Sequence, residues 1–406
     1  MRILHVLDHS LPLQSGYTFR TLALLREQQA LGWETLHLTS PKHYASGELE
    51  EEDVGGLHFF RTRVRPRMLA GVPVVDNAMV VWSTAGRIAE LIRRTRPDIV
   101  HAHSPCLNGL AALWASRARG VPVVYEMRAS WEDGAVYHGR TAEGSLRYRL
   151  SRSLETYVLR SANAVTTICH GLAGEIHSRG IPAERVTVVP NAVDIDDFRV
   201  IEHADQELRA RLELGAGPVL GFVGSFYAYE GLEFLIRALP AIAREHAGVR
   251  VVLVGGGPEE ERLKRLVAGL AVSERVRFTG RVPHEQVRRY YSVIDVLVYP
   301  RVSIRLTELV TPLKPLESMS LARMFIASDV GGHREVIPEN LHPYLFKPDD
   351  PLDLARAALQ MLASRESWPS VVAAARRYVC EQRTWRRSAL LYRGTYAACT
   401  GKAAAA

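Results

Sequence analysis

Lysine is scarce in this sequence. Of 51 basic residues only Lys42, Lys264, Lys314, Lys347 and Lys402 carry an ammonium, and arginine supplies the rest. Cysteine is scarcer still, for Cys106, Cys169, Cys380 and Cys399 stand far apart with no CxxC pair. That spacing argues against a disulfide framework or a cysteine zinc site and predicts isolated buried thiols. No apolar run approaches the roughly 20 residues of a membrane span. The start, Met1-Arg2-Ile3-Leu4-His5-Val6-Leu7-Asp8, is charged too early for a secretory signal and reads as a first strand of a cytoplasmic chain. RRM, zinc-finger and OB signatures are missing, which disfavours nucleic acid as a partner. The GxGxxG fingerprint is missing too, which disfavours a dehydrogenase.

What is present is an α/β rhythm. The 406 residues are 47% hydrophobic and 23% charged, with a formal charge of +7, the balance of an ordinary globular protein with two cores. The basic excess suits anionic small molecules or an acidic membrane surface. Short apolar runs alternate with longer segments of helical period. The first series is Ile3–Leu7, Thr35–Thr39, Ile99–His103, Val121–Tyr125, Ala164–Ile168 and Val186–Val189. The second is Val219–Val223, Arg250–Val254, Val276–Thr279, Val296–Tyr299 and Met324–Ala327. Such runs are buried parallel strands, and two series predict two doubly wound domains, 1–200 and 201–370. Residues 371–406 read as C-terminal helices packing back toward the first domain, ending in a frayed tail. Trp368, Tyr378, Trp385, Leu391 and Tyr392 are the expected anchors of the helical region after Asp353.

Ligands of such sheets sit beyond the carboxyl ends of the strands. After the first strand, Gly16 stands at a helix entrance, where free amides would face an anion or merely close a turn. His101 and His103 share one strand face. With no third ligand nearby in sequence, a metal site is not expected, and His103 is either a cleft residue or a packed one. Glu126 and Arg128 follow at the same edge, as site groups or as each other's ion pair. Asp194-Ile195-Asp196 has the form of a metal-binding DxD, but its place at the domain junction favours capping. In the second half, Gly224 and Ser225 end one strand, and Gly256 follows another beside Gly255 and Gly257. The richest stretch holds Arg301, Arg305, Lys314 and Glu317: fixed cations and helix amides for a diphosphate, and a carboxylate for a ribose diol. Residues 145–160 place Leu146, Leu150, Leu154, Tyr157 and Val158 at helical spacing among Arg147, Arg149, Arg152 and Arg160. That pattern suits either a sheet-covering helix or one lying on an anionic bilayer.

Several segments together carry a family resemblance. They are the Gly16 loop, Pro97-Asp98-Ile99-Val100-His101-Ala102-His103, Val188-Val189-Pro190-Asn191-Ala192-Val193-Asp194, Val254-Gly255-Gly256-Gly257-Pro258, Pro315-Leu316-Glu317-Ser318-Met319-Ser320 and Ala327-Ser328-Asp329-Val330-Gly331-Gly332. The chain resembles the retaining glycosyltransferases of family 4, the glycosyl transferases group 1. Its Gly224–Gly231 and Tyr125–Asp133 runs are closest to the exosortase-associated exopolysaccharide subgroup. The resemblance implies the GT-B fold, two Rossmann-like domains facing across a cleft. It implies a nucleotide-sugar donor on the C-terminal domain, a saccharide or lipid-linked acceptor on the N-terminal one, and retention of configuration with no required metal or other cofactor. Among site residues it implies Gly16 as the N-terminal glycine loop, His103 as a cleft histidine and Glu317 as the ribose ligand.

The departures from the family pattern concern charge. The position eight before Glu317 is Leu309, with Glu308 one residue off register. The family's diphosphate-gripping arginine and lysine correspond to Ser225 and Glu230, so Arg301, Arg305 and Lys314 are the expected replacements. A sugar-nucleotide epimerase and a catalytically silent nucleotide-sugar binder are the competing readings.

Overall fold

The computed structural model describes residues 1–13, 15–43, 50–63, 73–137 and 139–401; the tail expected to fray lies, beyond Gly401, outside the described residues. The chain divides into two compact units, Met1–Asn191 with Trp385–Ala406, and Ala192–Thr384. This moves the sequence-based boundaries of 200 and 370. Arg20 fixes the exit of the first unit by donating to the Val189 and Pro190 carbonyls and to Asn191 Oδ1, at 2.8, 3.2 and 3.0 Å. The second unit begins at once: the Val193 amide donates to the Arg383 carbonyl at 2.9 Å.

In the first unit, β1 (Arg2–Leu7), β2 (Glu34–Thr39), β3 (Glu51–Val54), β4 (Leu57–Arg61), β5 (Ile99–His103), β6 (Val123–Met127), β7 (Ala164–Thr167) and β8 (Val186–Val188) form one sheet. Its order is β3-β4-β2-β1-β5-β6-β7-β8, parallel except for the β3–β4 hairpin. Gly55 and Gly56, at φ 61° and 77°, make the two-residue turn that a right-twisted hairpin needs. The sixth strand starts later than the apolar run suggests, because Pro122 has no amide to donate. The helices are α1 (Gly16–Ala30), α2 (Pro73–Thr95), α3 (Cys106–Arg117), α4 (Trp131–Tyr137), α5 (Leu146–Ser161) and α6 (His170–Ser178).

The second unit carries α7 (Gln206–Arg211), α8 (Leu232–Glu245), α9 (Glu260–Gly269), α10 (His284–Val293), α11 (Arg305–Leu309), α12 (Lys314–Ser320), α13 (Gly331–Val336), α14 (Pro351–Ala363) and α15 (Trp368–Gln382). Its strands are β9 (Val219–Val223), β10 (Arg250–Val254), β11 (Val276–Gly280), β12 (Val296–Tyr299), β13 (Met324–Ser328) and β14 (Leu345–Phe346). They run parallel in the order β11-β10-β9-β12-β13-β14. The order reverses between β9 and β12, which is where doubly wound sheets take ligands. A continuous apolar core that includes Phe222, Leu235, Val252, Leu297, Ile326 and Leu354 holds this unit together.

Helix α16 (Trp385–Thr400) returns to the first unit. Trp385, Tyr392 and Tyr396 are buried there, whereas Leu391, an expected anchor, is 42% exposed. Trp368 and Tyr378 pack, partly buried, on the second core. None of the four cysteines is in a disulfide; Cys106 and Cys169 are buried as expected, while Cys380 and Cys399 are only half-buried. Among the described residues no helix is long and apolar enough to cross a membrane.

Candidate functional site

The two faces of the first sheet differ. On one face, strand register lines up His5 with His101, His103 with Glu126, and Glu126 with Thr166. These polar side chains lie under α1 and α16. All are buried, and so is Arg128 at the end of β6. Glu126 Oε1 accepts from Arg128 Nε at 2.7 Å and lies 3.5 Å from Arg20 Nε; Oε2 accepts from the Tyr392 hydroxyl and from Thr166 at 3.3 Å. Burial pushes this carboxyl up, but Arg20 and Arg128 outweigh it, and the group stays well below the usual carboxylate range. So the Glu126–Arg128 ion pair exists, and it is deeply set.

Donor and acceptor chemistry fixes the histidines. Arg128 Nη2 lies 2.7 Å from His103 Nδ1, and a guanidinium can only donate. His103 therefore carries its proton on Nε2 and donates it to His5 Nδ1 at 3.0 Å. His5 Nε2 in turn donates to Gln28 Oε1 at 2.8 Å. Gln28 Nε2 donates to the Tyr396 hydroxyl at 3.3 Å, and that hydroxyl is hydrogen-bonded to His101 Nδ1 at 2.7 Å. Glu126 Oε1 also approaches His103 Nδ1, at 3.4 Å, but the shorter contact decides the tautomer. Burial first, then Arg128, lowers the His103 imidazole to about 3. Burial likewise takes His5 and His101 well below their ordinary value.

His5, His101 and His103 form the one group among the described residues that could hold a metal ion. His5 is not recognisable from the sequence as the third member, since β1 meets β5 only in the sheet. The arrangement fits a cation poorly. His5 and His103 already spend nitrogens on each other, and Arg20 and Arg128 outnumber the single carboxylate. In this geometry both His103 nitrogens are engaged.

The outer end of the cluster is Arg128. It donates to Thr21 Oγ1 at 2.7 Å and to the Tyr17 carbonyl at 3.2 Å, and its guanidinium lies 4.3 Å from the Tyr17 ring centroid. Gly16 is exposed beside it at the first position of α1, where Ser15 accepts from the Thr18 amide at 3.1 Å.

In the second unit, the switch point holds Glu230. Its Oε1 lies 2.6 Å from Lys314 Nζ and 3.5 Å from Arg301 Nη2. Burial raises this carboxyl, but Lys314 and then Arg301 bring it below its ordinary value. Gly224, at φ 146°, ends β9 under the Lys314 stem; a Cβ there would stand 2.5 Å from Lys314 Cε. Lys314 Nζ lies 5.1 Å from the Phe222 ring centroid, and the Arg301 guanidinium 5.5 Å from that of Tyr229. Ser225 is exposed at the strand end, and Gly256 is buried beyond β10. Glu317, one turn into α12, accepts from the Tyr291 hydroxyl at 2.9 Å. Arg305 is half-buried at the start of α11. Glu308, the off-register glutamate, accepts from the Gly331 amide and from Ser303 Oγ, both at 2.7 Å. Thus Arg301, Lys314 and Glu230 come together.

His333 is a further neighbour that the sequence did not single out. Its Nδ1 donates to the Ser328 carbonyl at 2.8 Å, and its buried Nε2 has no partner among the described residues. Burial, then Arg301, takes this imidazole to about 3. The DxD segment is a cap: Asp194 Oδ1 accepts from the Asp196 and Asp197 amides at 3.0 and 3.1 Å. On α5 the predicted stripe splits. Val158 is buried, and Leu154 partly so, while Leu146, Leu150 and Tyr157 are exposed on one outward line with Arg147, Arg149 and Arg160.

Comparison with known proteins covers both units. A family model described as a glycosyl transferase 4-like domain matches residues 15–192, and one described as glycosyl transferases group 1 matches residues 217–364. The 2-deoxystreptamine N-acetyl-D-glucosaminyltransferase of Streptomyces fradiae is 30% identical over 376 residues, covering 89% of this chain and 85% of that protein. The structure of sucrose-phosphate synthase from Thermosynechococcus elongatus matches with a TM-score of 0.78 at 21% identity, over 98% of this chain and 99% of that one. Anabaena HepE in complex with UDP-glucose matches with a TM-score of 0.75 at 16% identity, over 97% and 99%. These two structures share the two-domain α/β architecture of the GT-B fold.

Proposed function

The chain belongs to the glycosyl transferases group 1 and is a glycosyltransferase using a nucleotide-sugar donor; from that premise we propose that its second unit grips the donor diphosphate with Lys314 and Arg301. One observation supports this reading above the others: both cations meet at the β9/β12 switch point, where Gly224 leaves room for the lysine stem. In this reading the charge that Ser225 and Glu230 do not supply comes from the neighbouring strand end and α12. Glu317 accepts from the ribose diol. As the sugar leaves, negative charge grows on the diphosphate, and fixed cations stabilise it without reorganisation and without a metal ion. Glu230 holds the ammonium in place before the donor arrives.

The proposal extends to a retaining transfer onto a lipid-linked saccharide at the inner face of the cytoplasmic membrane, in exopolysaccharide assembly. The resemblance to the exosortase-associated subgroup motivates the pathway. The exposed Leu146, Leu150 and Tyr157 among arginines on α5 motivate the membrane contact.

The test is product analysis with UDP-glucose, UDP-N-acetylglucosamine and GDP-mannose, with and without EDTA, in the presence of membrane lipid extract. Release of a nucleoside diphosphate, EDTA-resistant and coupled to an α-linked glycolipid, is the expected result. Conversion of the sugar nucleotide without diphosphate release would make the protein an epimerase. Tight nucleotide binding with no turnover of any donor would make it a silent binder.

A further inference from the structure

The hydrogen bonds on the polar face of the first sheet run almost in a circle. They pass from Glu126 to Arg128, His103, His5, Gln28, Tyr396 and His101, whose Nε2 stands 3.9 Å from Glu126 Oε2. Three strands and α1 supply five of these seven groups. Helix α16 supplies two links, Tyr396 joining Gln28 to His101 and Tyr392 donating directly to Glu126, while His101 Nε2 makes no hydrogen bond among the described residues. The proton positions follow from the two ends of the chain of bonds. The guanidinium must donate to His103, and the amide oxygen of Gln28 must accept from His5. No imidazole then needs a charge, and a single carboxylate faces two guanidiniums.

A scaffold alone does not call for such groups, because an apolar row of the same volume is as stable as a buried ionic one or more so. The circle does have one product at its rim. It holds the Arg128 guanidinium by Nε, Nη1 and Nη2 at once, beside the exposed Gly16 at the entrance of α1. Resting on the glycosyltransferase reading, we propose that Tyr392 and Tyr396 of the C-terminal helix are positioning residues: Tyr392 by donating to Glu126, and Tyr396 by linking Gln28 to His101, hold the chain of bonds that aims Arg128 at an anionic group of the bound substrates. The last helix of the chain thereby becomes part of the machinery of the first unit.

The groups facing Glu126 are Arg20 from α1, His101 and His103 from β5, Arg128 beyond β6 and Tyr392 from α16, with His5 of β1, Tyr17 of α1 and Tyr396 of α16 next out. Tyr392→Phe removes one donor to the ionised carboxylate, so Glu126 takes up a proton at higher pH. The acid limb of the kcat/KM profile moves upward accordingly.

The experiment measures release of nucleoside diphosphate from UDP-glucose, UDP-N-acetylglucosamine and GDP-mannose by the full chain, Tyr392→Phe and Tyr396→Phe, from pH 4 to pH 9. The expected result is a fall in kcat of about ten-fold, with KM for the donor within about two-fold, the acid limb of Tyr392→Phe shifted up, and little change in Tm. Profiles superimposing on wild type, or activity lost only in step with Tm, would overturn the proposal. Nitrogen-15 spectra of the imidazoles give an answer independent of turnover. Tyr396→Phe should move the His101 resonances, identified with His101→Asn, and an unchanged spectrum would overturn the circle. Should the wild type release no diphosphate while the spectra respond as expected, the glycosyltransferase reading falls and the circle stands.

Discussion

Each unit of the molecule has a strand-end cluster in which a buried carboxylate lies between two cations, yet the two clusters have different surroundings. Glu126 sits between Arg20 and Arg128, whose side chains are 3% and 7% exposed, and Tyr392, Thr166 and the His101 and His103 rings surround the rest of it. Glu230 sits between Arg301 and Lys314, whose side chains are 10% and 19% exposed, at the open end of a strand. In both, the cations overcome burial and keep the carboxyl ionised. The same three charges thus make a locked cluster in one unit and an accessible one in the other. What distinguishes them is how many donors and acceptors the surrounding helices supply, and whether a cation can swing to a ligand.

The largest contrast should appear on removing the carboxylates. Glu126→Ala leaves two guanidiniums buried without a counter-ion, and a loss of about 3–5 kcal/mol in urea unfolding of the first unit is expected. Glu230→Ala lets Lys314 relax into water, and a loss of only about 1 kcal/mol is expected. Equal losses would dissolve the distinction.

Next in size is Glu317→Ala, which should weaken nucleoside diphosphate binding by about ten-fold through loss of the ribose contact. Arg305→Ala should change it less, because the diphosphate grip is assigned to Lys314 and Arg301. Calorimetry reads both, and the reverse order would move the donor grip from α12 to α11.

A third carboxylate sharpens the comparison by its opposite sign. Glu155 lies on the other face of the first sheet, accepting from the Tyr125 hydroxyl at 2.8 Å and the Trp131 amide at 3.1 Å. Burial first, then the nearby Glu132, raises it to about 7. The folded state therefore holds this proton more tightly than the unfolded chain does. Its contribution to stability is full below the ordinary carboxylate pKa and is lost as pH rises toward 7. Glu126, depressed, contributes above its unfolded pKa and loses that contribution as pH falls. Glu155→Gln should flatten the decline in Tm between pH 5 and pH 7 and leave the acid limb unchanged. A decline of unaltered slope would place the titration elsewhere.

The smallest effect on the fold is expected from Leu146→Glu with Leu150→Glu, both exposed on α5. Tm should stay within about 2 °C, while sedimentation with anionic phosphatidylglycerol vesicles drops several-fold. Undiminished sedimentation would remove α5 from the membrane account.

The sequence made the strands legible where they are buried on both faces, because Val219–Val223 or Ile99–His103 can be little else. It was less legible where strands are short or exposed. The β3–β4 hairpin was announced only by Val54-Gly55-Gly56-Leu57, and β14 has two residues. The return toward the first unit was expected from residue 371, whereas that unit takes up the chain only from Trp385, since amphipathic helices look alike whichever unit they cover. At the sites, Lys314, Arg301 and Glu317 stood out by charge and place. Glu230 departs in charge from the family's diphosphate grip, and its 84-residue separation from Lys314 hides their pairing. The circle around Glu126 was invisible as a whole: His5, Gln28, Tyr392 and Tyr396 meet His101 only through tertiary packing, His101 and Tyr396 lying 295 residues apart.

The central claim is that the accessible cluster, not the locked one, takes the donor diphosphate. Calorimetric titration of wild type, Lys314→Glu and Glu317→Ala with UDP, GDP and ADP, without added metal, tests it most directly. The account predicts that one nucleotide binds the wild type, that Lys314→Glu weakens it by more than about thirty-fold, and that Glu317→Ala weakens it less. Unchanged affinity in Lys314→Glu would contradict the account.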